Sequence, residues 1–343
     1  EPVIMPSIMK DTFHIQWHIT NLCNLRCIHC YHNDFSNNQD RTFEDLKKIF
    51  INICDFLKKS DKDLVVDITG GEPFIYKEWK ELFSYLYKSP CVKELGIITN
   101  GFFINEKILD FLEDFRETKL KISAEAFEKE PFEKFRGKGN FEKFIKTMNL
   151  LKERNFEKTL MFTLMEQNVS EIDKLFHFIE EYKINHFIVE RFIPWGEGRK
   201  ITEQVVSLEH WIKTIKILLN KTGNEEELYP LIPYKGFRVT KENGAFELYG
   251  SPCIVGTDGI AVMPDGSVFP CRRFPLKIGN LLEESLYDIW NSSYVLKRLK
   301  DKKNLKGKCH ECKIEDCNGC RALAFSMNGD YLAEDSLCVL GES

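Results

Sequence analysis

Between residue 14 and about residue 220, short apolar and β-branched runs alternate with longer stretches whose apolar positions recur at helical spacing. The short runs at 14–20, 64–69, 95–99, 120–123, 159–164 and 186–191 predict strands. The longer stretches at 42–59, 79–87, 106–115, 141–153 and 170–182, with a last one at 208–220, predict amphipathic helices. Six strand-then-helix units imply a parallel sheet with helices on its outer face. The expected fold class is α/β, a partial (β/α)6 barrel of the TIM type. Its chemistry should sit on the loops that follow the strand C-termini.

After about residue 221 the strand–helix rhythm stops, and Gly, Pro, Tyr and Asn become frequent. The segments 255–263 and 267–270, joined through Pro264-Asp265-Gly266, predict a hairpin. Short helices are expected at 284–291 and near 293–300, ahead of a cysteine-rich tail. The predicted organisation is an N-terminal extension over 1–13, the barrel over 14–220, a linker over 221–235 and a small irregular α+β domain over 236–343. No internal repeat or low-complexity tract interrupts this order.

Composition narrows the function classes. The chain has 343 residues with 48 basic and 53 acidic side chains, a net charge of −5 that gives no electrostatic case for a nucleic-acid or anionic-membrane partner. No apolar run approaches the roughly 20 residues of a membrane span. The start, Glu-Pro-Val-Ile-Met-Pro, lacks the basic and apolar regions of a signal peptide. The expected location is the cytoplasm, where 12 cysteines are not explained by structural disulfides. Cys54 and Cys91 stand alone and read as buried packing residues. The other ten fall in metal-ligand spacings: Cys23, Cys27 and Cys30 near the start, then Cys253, Cys271, Cys309, Cys312, Cys317, Cys320 and Cys338.

The distinctive residues gather on one predicted rim. The cysteine triplet follows the first strand and Gly70-Gly71-Glu72-Pro73 the second. Thr99-Asn100-Gly101 ends the third, Ser123-Ala124-Glu125 the fourth, and Arg191-Phe192-Ile193-Pro194-Trp195-Gly196 the sixth. Cys-x3-Cys-x2-Cys supplies three thiolates converging on one point. Spacing alone leaves two metals open: zinc completed by His29 or His32, or a cubane iron–sulfur cluster with one iron free for an exogenous ligand. The pairs Cys309/Cys312 and Cys317/Cys320, seen alone, also suit a zinc knuckle.

The triplet after strand one, with Gly-Gly-Glu-Pro after strand two, resembles the radical S-adenosylmethionine (SAM) enzyme superfamily, with His29 where an aromatic residue is usual. The resemblance implies that the open iron of a [4Fe–4S] cluster on Cys23, Cys27 and Cys30 chelates SAM. Gly70, Gly71 and Glu72 would receive the methionyl ammonium, and Ser123 would donate to the ligand's polar groups with Glu125 beside it. Arg136 would pair with the SAM carboxylate and Asn100 would line the cavity. Reductive cleavage by an external reductant such as a flavodoxin or ferredoxin would give methionine and a 5′-deoxyadenosyl radical that abstracts hydrogen from a substrate C–H bond. Oxygen lability would confine such an oxidoreductase to anaerobic or reducing conditions.

The C-terminal cysteines, with Gly266-x4-Cys271 and the lone Cys338, resemble the SPASM extension, two of their spacings being one residue shorter than its commonest form. That resemblance implies two auxiliary clusters, hence three [4Fe–4S] clusters in all. Cys309, Cys312, Cys317 and Cys338 would ligate one. Cys253, Cys271 and Cys320 would ligate the other, one cysteine short, with Asp258 and Asp265 as conceivable fourth ligands. The subfamily points to a maturase of ribosomally made peptides or proteins, acting by thioether or carbon–carbon crosslinking, epimerisation or oxidation. No leader-binding module is expected ahead of residue 14. The alternative is tetrapyrrole side-chain modification in haem synthesis, for which Arg191, Arg199, Arg272 and Arg273 would supply a basic cavity; the tail from Gly319 to Asp335 is also similar to that branch. A non-catalytic cluster carrier is the third reading. No catalytic acid, base or hydrogen donor is assigned.

Overall fold

The computed structural model describes residues 11–115, 117–224, 231–314 and 317–340. Most of the expected N-terminal extension (1–10) and the middle of the expected linker (225–230) lie outside the described residues. The six expected strands are present: β1 (Thr12–His18), β2 (Asp63–Thr69), β3 (Val92–Thr99), β4 (Lys119–Ser123), β5 (Glu157–Leu164) and β6 (His186–Arg191). They pair in that order, all parallel. Helices α1 (Phe43–Ser60), α2 (Trp79–Tyr87), α3 (Glu106–Glu113), α4 (Lys129–Arg136), α5 (Phe141–Lys152), α6 (Glu171–Glu181) and α7 (Leu208–Lys221) follow or separate them.

Helix α1 shows why the pattern reads so directly. The Thr42 hydroxyl caps it by accepting from the Asp45 amide, while Leu46, Ile49, Phe50, Ile53, Phe56 and Leu57 form one buried stripe. Helix α4 escapes the same reading because only Phe132, Phe135 and Arg136 of its eight residues are buried. The rest are charged or Pro, so no apolar period stands out.

The C-terminal segment does not stack as a separate layer; it lengthens the same sheet at both edges. Strands β7 (Tyr234–Glu242), β8 (Ala245–Pro252), β9 (Gly259–Val262), β10 (Ser267–Phe269) and β11 (Gly279–Asn280) complete an 11-stranded sheet ordered β11-β10-β9-β1-β2-β3-β4-β5-β6-β7-β8. Strand β9 runs parallel to β1, and β7 runs antiparallel to β6. The β9–β10 hairpin was expected. The β7–β8 hairpin was not, although Asn243-Gly244, both at positive φ, is a strong turn signal. Helices α8 (Leu286–Ser292), α9 (Tyr294–Lys300), α10 (Lys308–Glu311) and α11 (Arg321–Asn328) complete the chain. One apolar core runs from Phe13 through Phe237 and Val262 to Leu337. Among the described residues, no helix is long and apolar enough to cross a membrane.

Cys54 and Cys91 correct the expectation of isolated packing residues. Cys54 on α1 and Cys91 just ahead of β3 are joined as a disulfide, with Cα atoms 6.3 Å apart. Both are half-buried against the core.

The two added edges generate a prediction. A fragment ending at residue 224 would uncover the open hydrogen-bonding edges of β1 and β6, since it lacks β9 and β7. It should associate or remain partly unfolded, read as large species in light scattering and strong ANS binding. A monomeric, cooperatively melting fragment would contradict it.

Candidate functional site

The loop after β1, residues 21–32, carries the thiols and is gripped at both ends by backbone. At its start, the Gly71 amide donates to the Thr20 carbonyl (2.8 Å) and the Glu72 amide to that of Leu22 (2.7 Å). A Cβ on Gly70 would lie 2.2 Å from the Thr20 oxygen, and one on Gly71 2.2 Å from the Leu22 oxygen. Glycine is therefore the residue this approach permits, and Gly70 also sits at φ 143°. At the loop's far end, the Glu197 amide donates to His32 (3.0 Å) and the Gly198 amide to Cys30 (2.9 Å). A Cβ on Gly196 would meet the Tyr31 carbonyl carbon at 2.4 Å. Within the loop, the Leu25 amide points at Cys23 Sγ and the His32 amide at Cys30 Sγ, each at 3.4 Å.

Cys23, Cys27 and Cys30 open onto one cavity of about 1030 Å³, part of it continuous with solvent. Gly70, Gly71, Asn100, Ser123 and Arg136 line it too, so the rim loops converge as expected. Glu72 does not line it. Its fully buried carboxylate accepts from Thr99 Oγ1 (2.7 Å), the Asn100 amide (2.9 Å) and the Phe74 amide (3.4 Å), tying the end of β3 to the β2 loop. Burial pushes its pKa up to about 7 against those hydrogen bonds. Asn100 reaches the cysteine loop instead, donating to Asn24 Oδ1 at 2.8 Å and approaching Cys23 Sγ at 3.8 Å.

Arg136, at the end of α4, is held by Glu125, expected only to lie beside Ser123. Glu125 binds it in a bidentate pair, Oε2 to Nε at 2.6 Å and Oε1 to Nη2 at 2.8 Å, and His29 Nε2 lies 3.2 Å from the same carboxylate. Glu125 and Arg136 are 1% and 4% exposed. Burial alone would raise the Glu125 pKa, but the guanidinium and His29 outweigh it and hold the carboxyl at about 2. Among the described residues Arg136 Nη1 has no hydrogen-bond partner, and Arg136 lines the cavity.

A second set of thiols lies beside the rim. Cys253 follows β8, Cys271 follows β10 and Cys320 precedes α11. Burial, with the neighbouring Cys320 and Cys271 sulfurs, pushes the Cys253 thiol up to about 12, so the three share one neighbourhood. Asp258 and Asp265, conceivable fourth ligands from sequence, are engaged elsewhere. Asp258 pairs with Lys62 beside the start of β1, and Asp265 folds back on the Ser267 amide (2.9 Å) and hydroxyl (2.8 Å) in a turn.

Three of the remaining four thiols are linked through cations and amides. Cys317 Sγ accepts from Lys235 Nζ, and Cys309 Sγ from Arg321 Nη2 and the Asp335 amide, each at 3.4 Å. The Cys338 thiol senses Lys235, Asp335 and Cys309. Cys312 is held by its main chain, its carbonyl accepting from Lys302 Nζ at 3.0 Å.

Sequence reasoning also missed Asp335. Its carboxylate, 2% exposed, bonds Arg191 (3.0 Å), the Cys320 amide (2.8 Å) and the Leu337 amide (3.1 Å). Arg191 is thus not a cavity cation, and Arg199 stacks in the open on Trp195 at 3.4 Å. Of the four arginines expected to line a basic cavity, Arg272 and Arg273 do so.

Residues 17–179 match the family model described as the radical SAM superfamily, and residues 253–321 match the SPASM iron–sulfur cluster-binding domain. The chain belongs to the radical SAM superfamily. It is 28% identical to the AdoMet-dependent heme synthase of Methanosarcina barkeri over 95% of each chain. It is 26% identical to the antilisterial bacteriocin subtilosin biosynthesis protein AlbA of Bacillus subtilis over 89% of this chain and 68% of that one. In fold it is similar to Streptococcus suis SuiB bound to the precursor peptide SuiA, with a TM-score of 0.73 and 17% identity over 96% of this chain and 76% of that one. It is likewise similar to anSMEcpe with bound AdoMet, with a TM-score of 0.69 and 19% identity over 95% and 94%.

The rim suits the cofactors of a radical SAM protein. Three thiols leave one iron of a cubane open, and Cys23, Cys27 and Cys30 all face the cavity in which an exogenous ligand of that iron would lie. Asn100, Ser123 and Arg136 add polar groups along its wall.

Two substitutions test the construction. Gly71→Ala forces a methyl onto backbone that cannot yield as a side chain would, and should destabilise the protein by more than about 2 kcal/mol in anaerobic urea denaturation. Glu125→Gln strands a buried guanidinium and should cost about 3–5 kcal/mol. The sign with pH follows from the depressed carboxyl. The stabilisation from Glu125 is whole above its unfolded pKa of about 4.3 and is lost as pH falls toward 2. A Glu125→Gln protein as stable as the parent at neutral pH would contradict the pairing.

Proposed function

We propose that this radical SAM enzyme modifies a peptide or protein substrate, held over the rim so that one side chain enters the cavity. The observation that carries the reading is the small supply of cations facing that cavity, fewer than the several carboxylates of a haem-type tetrapyrrole would call for. Arg191 and Arg199 are used elsewhere, and Arg272 and Arg273, which face the cavity, share Glu190. SuiB in complex with its precursor peptide and the bacteriocin biosynthesis protein AlbA support the same class.

In this reading Cys23, Cys27 and Cys30 hold the cluster that, with an external reductant such as a flavodoxin or ferredoxin, supplies reductive cleavage of SAM to the 5′-deoxyadenosyl radical. Gly70 and Gly71 present backbone along the ligand, Ser123 offers its hydroxyl, and Asn100 steadies the cysteine loop from the side. Arg136, fixed by Glu125, offers Nη1 to the carboxylate of SAM. Glu72 acts one step back, locking the Gly-Gly segment to β3. Cys309, Cys312, Cys317 and Cys338 hold one auxiliary cluster, and Cys253, Cys271 and Cys320 the other, whose remaining coordination position is left for a non-cysteine ligand or the substrate. The core over 14–220 and the SPASM domain over 236–343 divide these tasks, in a reducing cytoplasm.

A second reading rests on a specific finding, the near full-length similarity to the AdoMet-dependent heme synthase, and assigns a tetrapyrrole as substrate. One experiment separates them. Reconstituted protein with dithionite and SAM should release 5′-deoxyadenosine, and Ala at Cys23, Cys27 or Cys30 should abolish it. A small peptide encoded beside the gene should then change mass; conversion of a porphyrin instead would overturn the peptide assignment. Iron and sulfide analysis should give about 12 iron atoms per chain, and a single cluster would sink the three-cluster arrangement.

A further inference from the structure

Arg272 and Arg273 follow Cys271 in a tight turn, closed by the Phe274 amide donating to the Cys271 carbonyl at 2.9 Å. The turn projects both guanidiniums into the cavity shared with the rim thiols. Side chains this enclosed, 12% and 19% exposed, need partners, and the chain provides few. Arg272 Nη2 meets Glu190 Oε2 at 2.5 Å, and its guanidinium carbon lies 5.9 Å from the Tyr31 ring centre. Arg273 Nη1 donates to the Arg191 carbonyl at 3.0 Å and lies 3.5 Å from the same Glu190 oxygen, and its side chain also bonds the Cys271 thiol.

Two guanidiniums carry ten N–H donors between them, and these contacts occupy a minority. Arg273 Nε is buried with no hydrogen-bond partner. A buried donor left without a partner is costly, and a ligand oxygen reaching it would remove that cost. One carboxylate facing two guanidiniums also leaves a positive excess, in a cavity whose other enclosed cation, Arg136, is already matched by Glu125.

Resting on the peptide reading above, we propose that Arg272 and Arg273 form an anion subsite that recognises one carboxylate of the substrate, an Asp or Glu side chain close to the residue being modified. Glu190 serves as the clamp that holds both guanidiniums in place, and the free fork of Arg272 takes the substrate oxygens side by side. Arg is suited to this because its planar donors match a carboxylate.

The test uses the cluster-loaded enzyme with SAM present. It is titrated with two end-capped, fluorescein-labelled pools of short peptides, identical except that a single glutamate in one is glutamine in the other. Anisotropy should show the glutamate pool binding about tenfold tighter. Arg272→Gln should erase that difference, and Arg272→Lys should restore part of it, since Lys supplies charge without the fork. Iron content and circular dichroism report whether the variants fold, and the comparison on the parent enzyme decides the matter by itself if Arg272→Gln does not load its clusters. Equal binding of the two pools by the parent enzyme overturns the subsite and leaves the peptide reading standing. Binding of neither pool, alongside tight binding of a tetracarboxylate porphyrin, overturns the peptide reading and this proposal together.

Discussion

The rim depends on how closely two backbone segments come together. Thr20 to Leu22 and Gly70 to Glu72 are joined by amide–carbonyl bonds at a separation that excludes any side chain on the glycines. A loop carrying three thiols has no regular structure of its own, and its backbone polar groups need partners as much as those of a strand do. The contact supplies them at the loop's start, and Gly196 to Gly198 supply them at its end. The cysteine loop is placed by main chain on both sides rather than by its own turn.

That grip transmits to the whole sheet. Its two halves come from the loops after β2 and β6, which lie four strands apart, so the sheet's curvature sets the distance between them. The C-terminal strands keep that curvature by covering both edges, β9 against β1 and β7 against β6. Helix α11 adds a further tie to the β6 loop, where the Ser326 hydroxyl meets the Pro194 carbonyl at 2.5 Å. The auxiliary thiols are therefore anchored to the strands that frame the cavity, a consequence of strand pairing more than of a domain interface.

Much of this was legible in the chain, and the misses have a common cause. Strands and helices with a sustained apolar period, such as β5 or α1, appear where the pattern puts them. Helix α4 lacked the period, and β7–β8 lay in a stretch read as irregular despite its Asn-Gly turn. At the site, clustered thiols and glycines were readable because spacing along the chain is itself their signal. Glu125, Glu190 and Asp335 were not, because their partners lie 11, 82 and 144 residues away. Nothing local marks a carboxylate that will be enclosed. The same limit misassigned Arg191, whose partner Asp335 comes from the last turn of the chain, and it hid the approach of Cys54 to Cys91 across 37 residues.

These three carboxylates explain the electrostatic design. Burial opposes ionisation at each, yet each is held at about 2 by its cations, Arg136 with His29 for Glu125, Arg272 and Arg273 for Glu190, and Arg191 with Lys235 for Asp335. Such pairs are weak sources of stability, since desolvating both charges offsets most of their attraction. Their value here is positional. A guanidinium gripped through two of its nitrogens has a fixed plane, and its remaining donors then point in a fixed direction. Arg136, held through Nε and Nη2, retains Nη1; Arg272 is held through Nη2, and both residues line the same cavity. Donors held rigid beforehand lose little entropy on binding and need no rearrangement when charge arrives. The enclosed carboxylates are thus the means by which a flexible residue type becomes a rigid one.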